Sequence, residues 1–342
     1  MVRNAWFVTS GVAAPTLACV VVTWNSSRDV AACLRSVEAD LGAIPAELVV
    51  VDNASADGTA DLVARDFPRW QLVRSGSNIG YAAGNNVAFA ATRAPYVMLL
   101  NPDTRVLPGA IASLVACLDR DPRVGAVGPL KRNEDGSVQP SWGVFPSLWQ
   151  VLVRQTLLGR VVPVPNPRGP RFSFGQRALL PHGHARDVDW LTGSCLLVRR
   201  VAVEPPLFAE GNYMYWEDCD LCYRVKAGGW RVWFLPEAEI VHSMGGSVRH
   251  ARPRVVRLRI RGEVLLFARS RGRGHERASA ALGVIGCLGR AAGYAARRAA
   301  SRGDERERAR QLAAAHWDSA RELSAVAIGR SDMRRLTAVE VP

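Results

Sequence analysis

Three apolar runs break off abruptly into short polar residues: TLACVVVTWN (16–25), AELVVVDNAS (46–55) and APYVMLLNPD (94–103). Each is too continuous in Val, Leu and Cys for a strand with one wet face, and predicts a strand buried on both faces. Helical patterns lie between and after them, at 28–39, within DGTADLVARDF with Ser55 or Asp57 as N-cap, across 81–92 and across 108–119. WQLVRS (70–75) and VGAVGP (124–129) add further strands. Strands alternating with helices specify an α/β chain: a mostly parallel, Rossmann-like central sheet flanked by helices on both faces. Ligands of such sheets bind at the carboxyl ends of the strands. That rule singles out Thr23–Asn25, Asp52–Ser55 and Asn101–Asp103.

Beyond this alternation the pattern changes. The stretch 131–186 is weakly periodic and reads as loops with short elements shaping a cleft. DVDWLTGSCLLVRRVAV (187–203) is strand-like, and 228–247 reads as two short strands with a Gly-rich loop. From about residue 252, Arg-rich helical segments dominate. Residues 1–249 carry 24 basic and 22 acidic side chains, whereas 250–342 carry 20 against 9, so +11 of the net charge of +13 belongs to the C-terminal region. Such a region meets an anionic lipid surface, packs as a solvated helical pair, or binds nucleic acid. Nucleic acid is disfavoured because the segment has few aromatics for stacking and no binding motif. Its mixture of Arg with Val, Leu, Ile and Phe suits a basic amphipathic helix at a membrane surface. The seven cysteines form no disulfide or zinc framework, and Cys219 and Cys222 have helical spacing; they read as structural thiols in a reducing compartment. The first 15 residues lack a basic-then-apolar signal pattern, and the most apolar C-terminal stretch, 278–296, contains Arg290 and four glycines, which fits a surface helix rather than a span.

The stretch YWEDCDLCYR (215–224) gathers Glu217, Asp218 and Asp220 among aromatics, a costly place to keep carboxylates charged. A helix over 217–227 puts Asp218 and Asp220 on different faces and Arg224 at i+4 from Asp220. Acids in a first helical turn are also favoured by the helix dipole alone. Taken in order, VVTWN, VVDNASADGT, NIGYAAGNN, LLNPDT, WLTGSCLLVRR, YWEDCDLCYR and VHSMGGS resemble glycosyltransferase family 2, across roughly residues 16–250. Within the family they are similar to the rhamnosyltransferase-like branch that builds bacterial cell-surface polysaccharide.

The resemblance implies a GT-A fold and an inverting transfer from a nucleotide sugar. It divides the chain into an N-terminal extension (1–15), a catalytic domain (16–250, with a nucleotide-sugar half at 16–129 and an acceptor half at 130–250) and the basic helical region (251–342). Asp52 can accept from the ring N–H of uracil or thymine, or make only an Asx-turn. Thr23, Trp24 and Asn25, with Asn53 and Ser55, would line the base and ribose pocket. Asn78, Gly80, Gly84 and Asn86 would approach the nucleotide at a helix start, with packing as the alternative. LLNPD stands where the family has its D-x-D metal motif. Here Asn101 replaces the first acid, which leaves Asp103 and, by resemblance, His242 as ligands of Mg²⁺ or Mn²⁺. Asp218 would be the general base. Glu217, Asp220 and Arg224 would support it, and Trp190, Thr192 and Gly193 would floor the acceptor and sugar site, with a core Trp as the alternative.

These parts imply transfer of rhamnose from a dTDP- or UDP-sugar to a hydroxyl of a saccharide or lipid-linked acceptor, by a cytoplasmic protein peripheral on the inner face of the membrane. A nucleotidyltransferase shares the alternating sheet but needs a Gly-rich basic loop that VVTWNSSRD lacks. A non-catalytic nucleotide-sugar sensor is the rival from another class, and replacing Asp218 by Asn separates it from an enzyme.

Overall fold

The computed structural model describes residues 14–156, 183–209, 211, 213–243 and 253–333. Most of the proposed N-terminal extension, the Gly-rich loop after His242 and the boundary near 251 lie outside the described residues. The strands are β1 (Leu17–Thr23), β2 (Ala46–Asp52), β3 (Gln71–Arg74), β4 (Tyr96–Leu100), β5 (Thr104–Val106), β6 (Val124–Arg132), β7 (Val138–Gln139), β8 (Trp142–Gly143), β9 (Arg186–Asp187), β10 (Trp190–Leu191), β11 (Cys195–Arg199) and β12 (Arg231–His242). The helices are α1 (Val30–Asp40), α2 (Thr59–Asp66), α3 (Tyr81–Ala91), α4 (Ala110–Arg120), α5 (Leu148–Gln155), α6 (Glu217–Ala227), α7 (Pro253–Ala300) and α8 (Gly303–Ala327).

The main sheet runs β3-β2-β1-β4-β11-β6-β12-β5, with β7 beside β6 and β9 beside β12. Strands β3, β2, β1 and β4 are parallel, as are β6 and β12, while β11 enters antiparallel between β4 and β6. The sheet is therefore mixed, and the insertion of β11 has a local consequence. It brings the β10–β11 loop to the same rim as the carboxyl ends of β1, β2 and β4.

Burial on both faces follows the pleat. Ala18, Val20 and Val22 of β1 point into one core with α3 and α6, and Leu17, Cys19 and Val21 into the other with α1, α2 and α4. Each such fully buried Val or Leu contributes about 1.5–3 kcal/mol, which explains why these strands read as unbroken apolar runs. Residues 231–242 form one strand rather than two. Its register slips between Leu235 and Glu239, where Pro236 has no N–H to give to the ladder. The N-cap position of α2 falls to Gly58 (φ 83°), not to Ser55 or Asp57. Asp57 instead accepts from the backbone N–H of Thr59 and Ser27.

Helix α7 is broken at Gly272 (φ 79°) into two halves. The second half pairs with α8 through Gly283 against Leu323 and through Tyr294 stacked on His316. The first half lies against the sheet layer: Leu266 belongs to the cluster around α6, and Arg154 of α5 pairs with the buried Glu263. Among the described residues no helix is long and apolar enough to cross a membrane. All seven cysteines are free, and burial pushes the Cys195 and Cys222 thiols up to about 12, so they serve as packing groups.

Candidate active site

Adjacent parallel strands fix the first residues of the rim. Thr23 ends β1 directly opposite Asp52 at the end of β2, and Val21 pairs with Leu100 of β4, so Asn101 leaves the sheet beside them. Thr23 Oγ1 donates to Asp52 Oδ1 at 2.8 Å, Ser55 Oγ donates to the same oxygen at 2.6 Å, and Ser55 N donates to Oδ2 at 3.0 Å. Asp52 accepts from the backbone N–H three residues on, one beyond the spacing of an Asx-turn, and is the centre of a hydroxyl cluster, only 3% exposed, with a lone pair remaining on Oδ2. Asn25, in the left-handed region (φ 50°), latches the two loops: its Oδ1 accepts from Ala56 N at 2.8 Å and its own N–H donates to Ser55 Oγ at 2.9 Å. Trp24 is 41% exposed on the same rim.

The glycine-asparagine stretch has a different role from the one expected. A Cβ on Gly84 would stand 2.8 Å from Val22 Cγ1, so this glycine lets α3 press against β1. Asn86 clamps the backbone of Phe208 in both directions, at 2.8 Å each way. A Cβ on Gly80 would meet the Tyr213 ring at 2.6 Å, Asn53 Nδ2 donates to Gly80 O at 3.1 Å, and Asn78 Oδ1 accepts from Gly80 N at 3.1 Å. Gly80, Gly84 and Asn86 therefore pack the chain rather than face a nucleotide. Close helix–sheet approach and ligand approach ask for the same small residue, and only the neighbours distinguish them.

From α3 the contacts pass to the opposite half of the site. Tyr81 Oη donates to Gly193 O at 3.0 Å, and Gly193 N donates to Asp218 Oδ2 at 2.9 Å. Asn101 N donates to Ser194 O at 3.1 Å, which closes the circuit onto β4. Asp52, Asn101 and Asp218, separated by up to 166 positions in the chain, are thereby linked around one rim by named hydrogen bonds. Asp218 is partly exposed, and its Oδ1 also accepts from Cys219 N at 2.8 Å.

Glu217 stands beside it, 7% exposed, with Oε2 lacking a hydrogen-bond partner. Burial first, and then the charge of Asp218, hold its carboxyl far above the usual range, at about 8. It is thus a neutral, enclosed neighbour of Asp218 and does not reach out to an acceptor. Asp220 is buried and bonded to Arg224 Nε at 3.2 Å, and Arg224 also binds Leu207 O. Trp190 differs from expectation: it is 6% exposed, packs on Gly143, and donates from Nε1 to Val144 O at 2.9 Å. It has no free face on which a sugar could stack. Thr192 Oγ1 accepts from Lys131 Nζ at 3.0 Å.

Asp103 and His242 meet across β5 and β12, with His242 Nε2 3.3 Å from Asp103 Oδ1 and 3.4 Å from Asn101 Nδ2. Gln139 sets the state of that ring. Its Nε2 donates to His242 O and Asn133 Oδ1, both at 2.6 Å, so Oε1 is the atom that faces His242 Nδ1 at 3.1 Å. Nδ1 is thereby the nitrogen that donates, to Gln139 Oε1, and Nε2 is left facing Asp103 Oδ1 and Asn101 Nδ2. One nitrogen and one carboxylate donor side by side fit a divalent cation. Among the described residues no three His, Cys, Asp or Glu side chains gather that could hold a metal, so a bound substrate would complete the coordination.

Gln139, Lys131, Tyr81 and Ser194 were not legible as site residues. Tyr81 lies inside NIGYAAGNN, and Lys131 stands with Arg132 at the charged end of an apolar strand, the one available signal. Gln139 sits in the stretch that reads as irregular.

Comparison with known proteins agrees with this fold. A mannosyltransferase from Pyrobaculum calidifontis, solved with GDP-Man and Mn²⁺, superposes with a TM-score of 0.52 at 18% identity over 93% of this chain and 88% of that one. The N-acetylglucosaminyl-diphospho-decaprenol L-rhamnosyltransferase of Mycobacterium tuberculosis (strain CDC 1551 / Oshkosh) is 36% identical over 219 residues, which is 59% of this chain and 68% of the relative. The rhamnosyltransferase WbbL of Escherichia coli (strain K12) is 26% identical over 206 residues, 58% of this chain and 73% of the relative. The sequence model for glycosyl transferase family 2 matches residues 18–180. With its strand-end carboxylates and the Asp218 helix start on one rim of a GT-A sheet, the chain belongs to glycosyl transferase family 2.

Proposed function

We propose that the chain is a divalent-metal-dependent, inverting rhamnosyltransferase, which takes a dTDP- or UDP-sugar donor and glycosylates a hydroxyl of a lipid-linked saccharide at the inner face of the cytoplasmic membrane. The observation that carries the reading is the hydrogen-bonded circuit from Asp52 through Asn53, Gly80, Tyr81 and Gly193 to Asp218. It holds a nucleotide-reading end and a proton-accepting end at a fixed separation. The choice of rhamnose rests on the two rhamnosyltransferase relatives, and that of a lipid-linked acceptor on the decaprenol-linked one alone.

Asp52, with Thr23 and Ser55 already donating to it, offers its remaining Oδ2 lone pair to a base N–H. Trp24, Asn25 and Asn53 shape the surrounding loops, and Asn78 turns the chain into α3. Asp103 and His242 would hold the cation, with Asn101 beside them and Gln139 orienting the ring. When bound, it would neutralise charge on the leaving diphosphate. Asp218, held by the Gly193 N–H, takes the proton from the acceptor hydroxyl as that oxygen attacks the anomeric carbon. The new C–O bond forms opposite the bond to the departing diphosphate, which inverts the centre. Lys131 and Thr192 fix the loop that presents Gly193, and Asp220 with Arg224 anchors the helix that carries the base.

Asp218→Asn keeps the shape and removes the basicity. The expected result is a loss of about 10²–10⁴-fold in transfer rate with donor affinity retained. Turnover assays across a panel of nucleotide sugars, with and without Mg²⁺ or Mn²⁺, measure this directly. Undiminished transfer by the variant, or stabilisation only by a purine dinucleotide, would sink the reading.

A further inference from the structure

The chain enters α6 through two consecutive left-handed residues, Tyr215 (φ 74°) and Trp216 (φ 70°, ψ −2°). Neither belongs to the residue types that adopt this region readily, and such conformations persist only where their surroundings over-determine them. Here the surroundings are the first half of α7. A Cβ on Gly262 would stand 2.6 Å from the Tyr215 carbonyl oxygen and 3.0 Å from Trp216 Cδ1. Trp216 Nε1 donates to Arg259 O at 3.0 Å, and the Arg259 guanidinium lies 4.7 Å from the centre of the Tyr215 ring. Further along, Tyr223 Oη donates to Ser270 O at 2.7 Å. On the other side, Tyr213 O accepts from Tyr81 N at 3.0 Å, and Tyr81 is the residue that binds Gly193 O.

We propose that Gly262 is a positioning residue: through it α7 holds the Tyr215–Trp216 turn, and the turn aims Asp218 at the reaction centre. This rests on the reading of Asp218 as the base. Glu217 and Asp218 follow Trp216 without an intervening residue, so a change in the Trp216 dihedrals swings both carboxylates together. The atom nearest Gly262 is a backbone carbonyl, which cannot turn aside as the tip of a long side chain could. A methyl group at 262 therefore displaces the turn or the helix. The basic C-terminal region thus takes part in building the catalytic site, whatever else it binds.

The test compares Gly262→Ala with Gly289→Ala in the full chain. Gly289 lies in the second half of α7 with nothing within 4 Å of its would-be Cβ, so it controls for the general effect of Gly→Ala in a helix. For Gly262→Ala we expect a folded protein whose affinity for a nucleoside diphosphate stays within about twofold and whose kcat falls by about 10- to 100-fold. The acidic limb of its kcat–pH profile should also move, because the surroundings of Asp218 change. Gly289→Ala should match the wild type. Should Gly262→Ala fail to fold, Trp216→Phe keeps an aromatic ring but removes the indole N–H bond to Arg259 O and part of the ring packing, and a kcat loss of about threefold or more at unchanged donor affinity supports the proposal. It is overturned if the folded variants, Trp216→Phe alone should Gly262→Ala not fold, keep wild-type kcat and pH profile, or lose kcat and donor binding in parallel. Turnover by Asp218→Asn would be a separate failure, of the base assignment.

Discussion

At the scale of single residues, the site is decided by which carboxylate is enclosed and which is held by a donor. Asp218 receives two backbone N–H bonds, whereas Glu217, its neighbour in sequence, is shut in with an oxygen that bonds to nothing. Asp218 is held in place by those donors, and Glu217 is driven by burial to keep its proton. The consequence for stability has a definite sign. Glu217 keeps its proton to about pH 8 in the folded chain but loses it near its ordinary value of 4.5 when unfolded. Between those values the unfolded state binds fewer protons, so the native state is most favoured below 4.5 and loses stability as pH rises toward 8. Glu217→Gln stays neutral throughout and should flatten this decline, gaining on the order of a few kcal/mol over wild type at pH 8 and almost nothing at pH 4. Thermal melts of both proteins across this range measure the difference, and parallel curves would contradict it. The acid cluster was legible in the sequence, and the resemblance proposed a role for each member, but the enclosure of Glu217 and the Gly193 N–H on Asp218 were not, because the latter comes from the distant β10–β11 loop.

Among elements, the approach of α3 to β1 shows where local reading stops. NIGYAAGNN marks a helix start correctly, and its glycines signal that something comes close. The close neighbour of Gly84 is Val22 rather than a ligand. Gly84→Leu should therefore destabilise the fold by about 1–3 kcal/mol through overpacking. Folded molecules of the variant should bind donor as the wild type does. Denaturant unfolding together with nucleotide titration separates the two effects, and a selective loss of binding would restore the ligand-contact role. Trp190 makes the same point with the opposite residue type: a flat ring beside a site reads as a sugar platform until Gly143 is found against it. The β12 strand, read as two pieces, is continuous because β6 supplies partners on both sides of the slip, with β5 joining after it.

Over the whole molecule, charge and architecture are divided. The catalytic half is near neutral and the last two helices hold the basic excess. If that excess faces lipid, the full chain should co-sediment with vesicles rich in anionic lipid and not with zwitterionic ones. Binding should weaken steeply as salt rises from about 0.1 to 0.5 M, since the Debye length shrinks. Binding indifferent to salt and lipid charge would leave the helices with packing alone. Sequence periodicity was enough to determine the α/β class, the order of the first strands and the placement of Asp52, Asn101 and Asp103 at strand ends, because a strand buried on both faces must be apolar throughout and must turn polar where it leaves the sheet. Motif order carried the family, and with it the proposal of Asp218 as base and His242 as ligand. What only the tertiary structure decided was which of these side chains face one another: the antiparallel entry of β11, the Gln139 that sets the His242 ring, and the α7 glycine against the Tyr215–Trp216 turn. Those contacts join residues far apart in the chain, and no local pattern of apolar and polar residues encodes a partner that distant folding brings near.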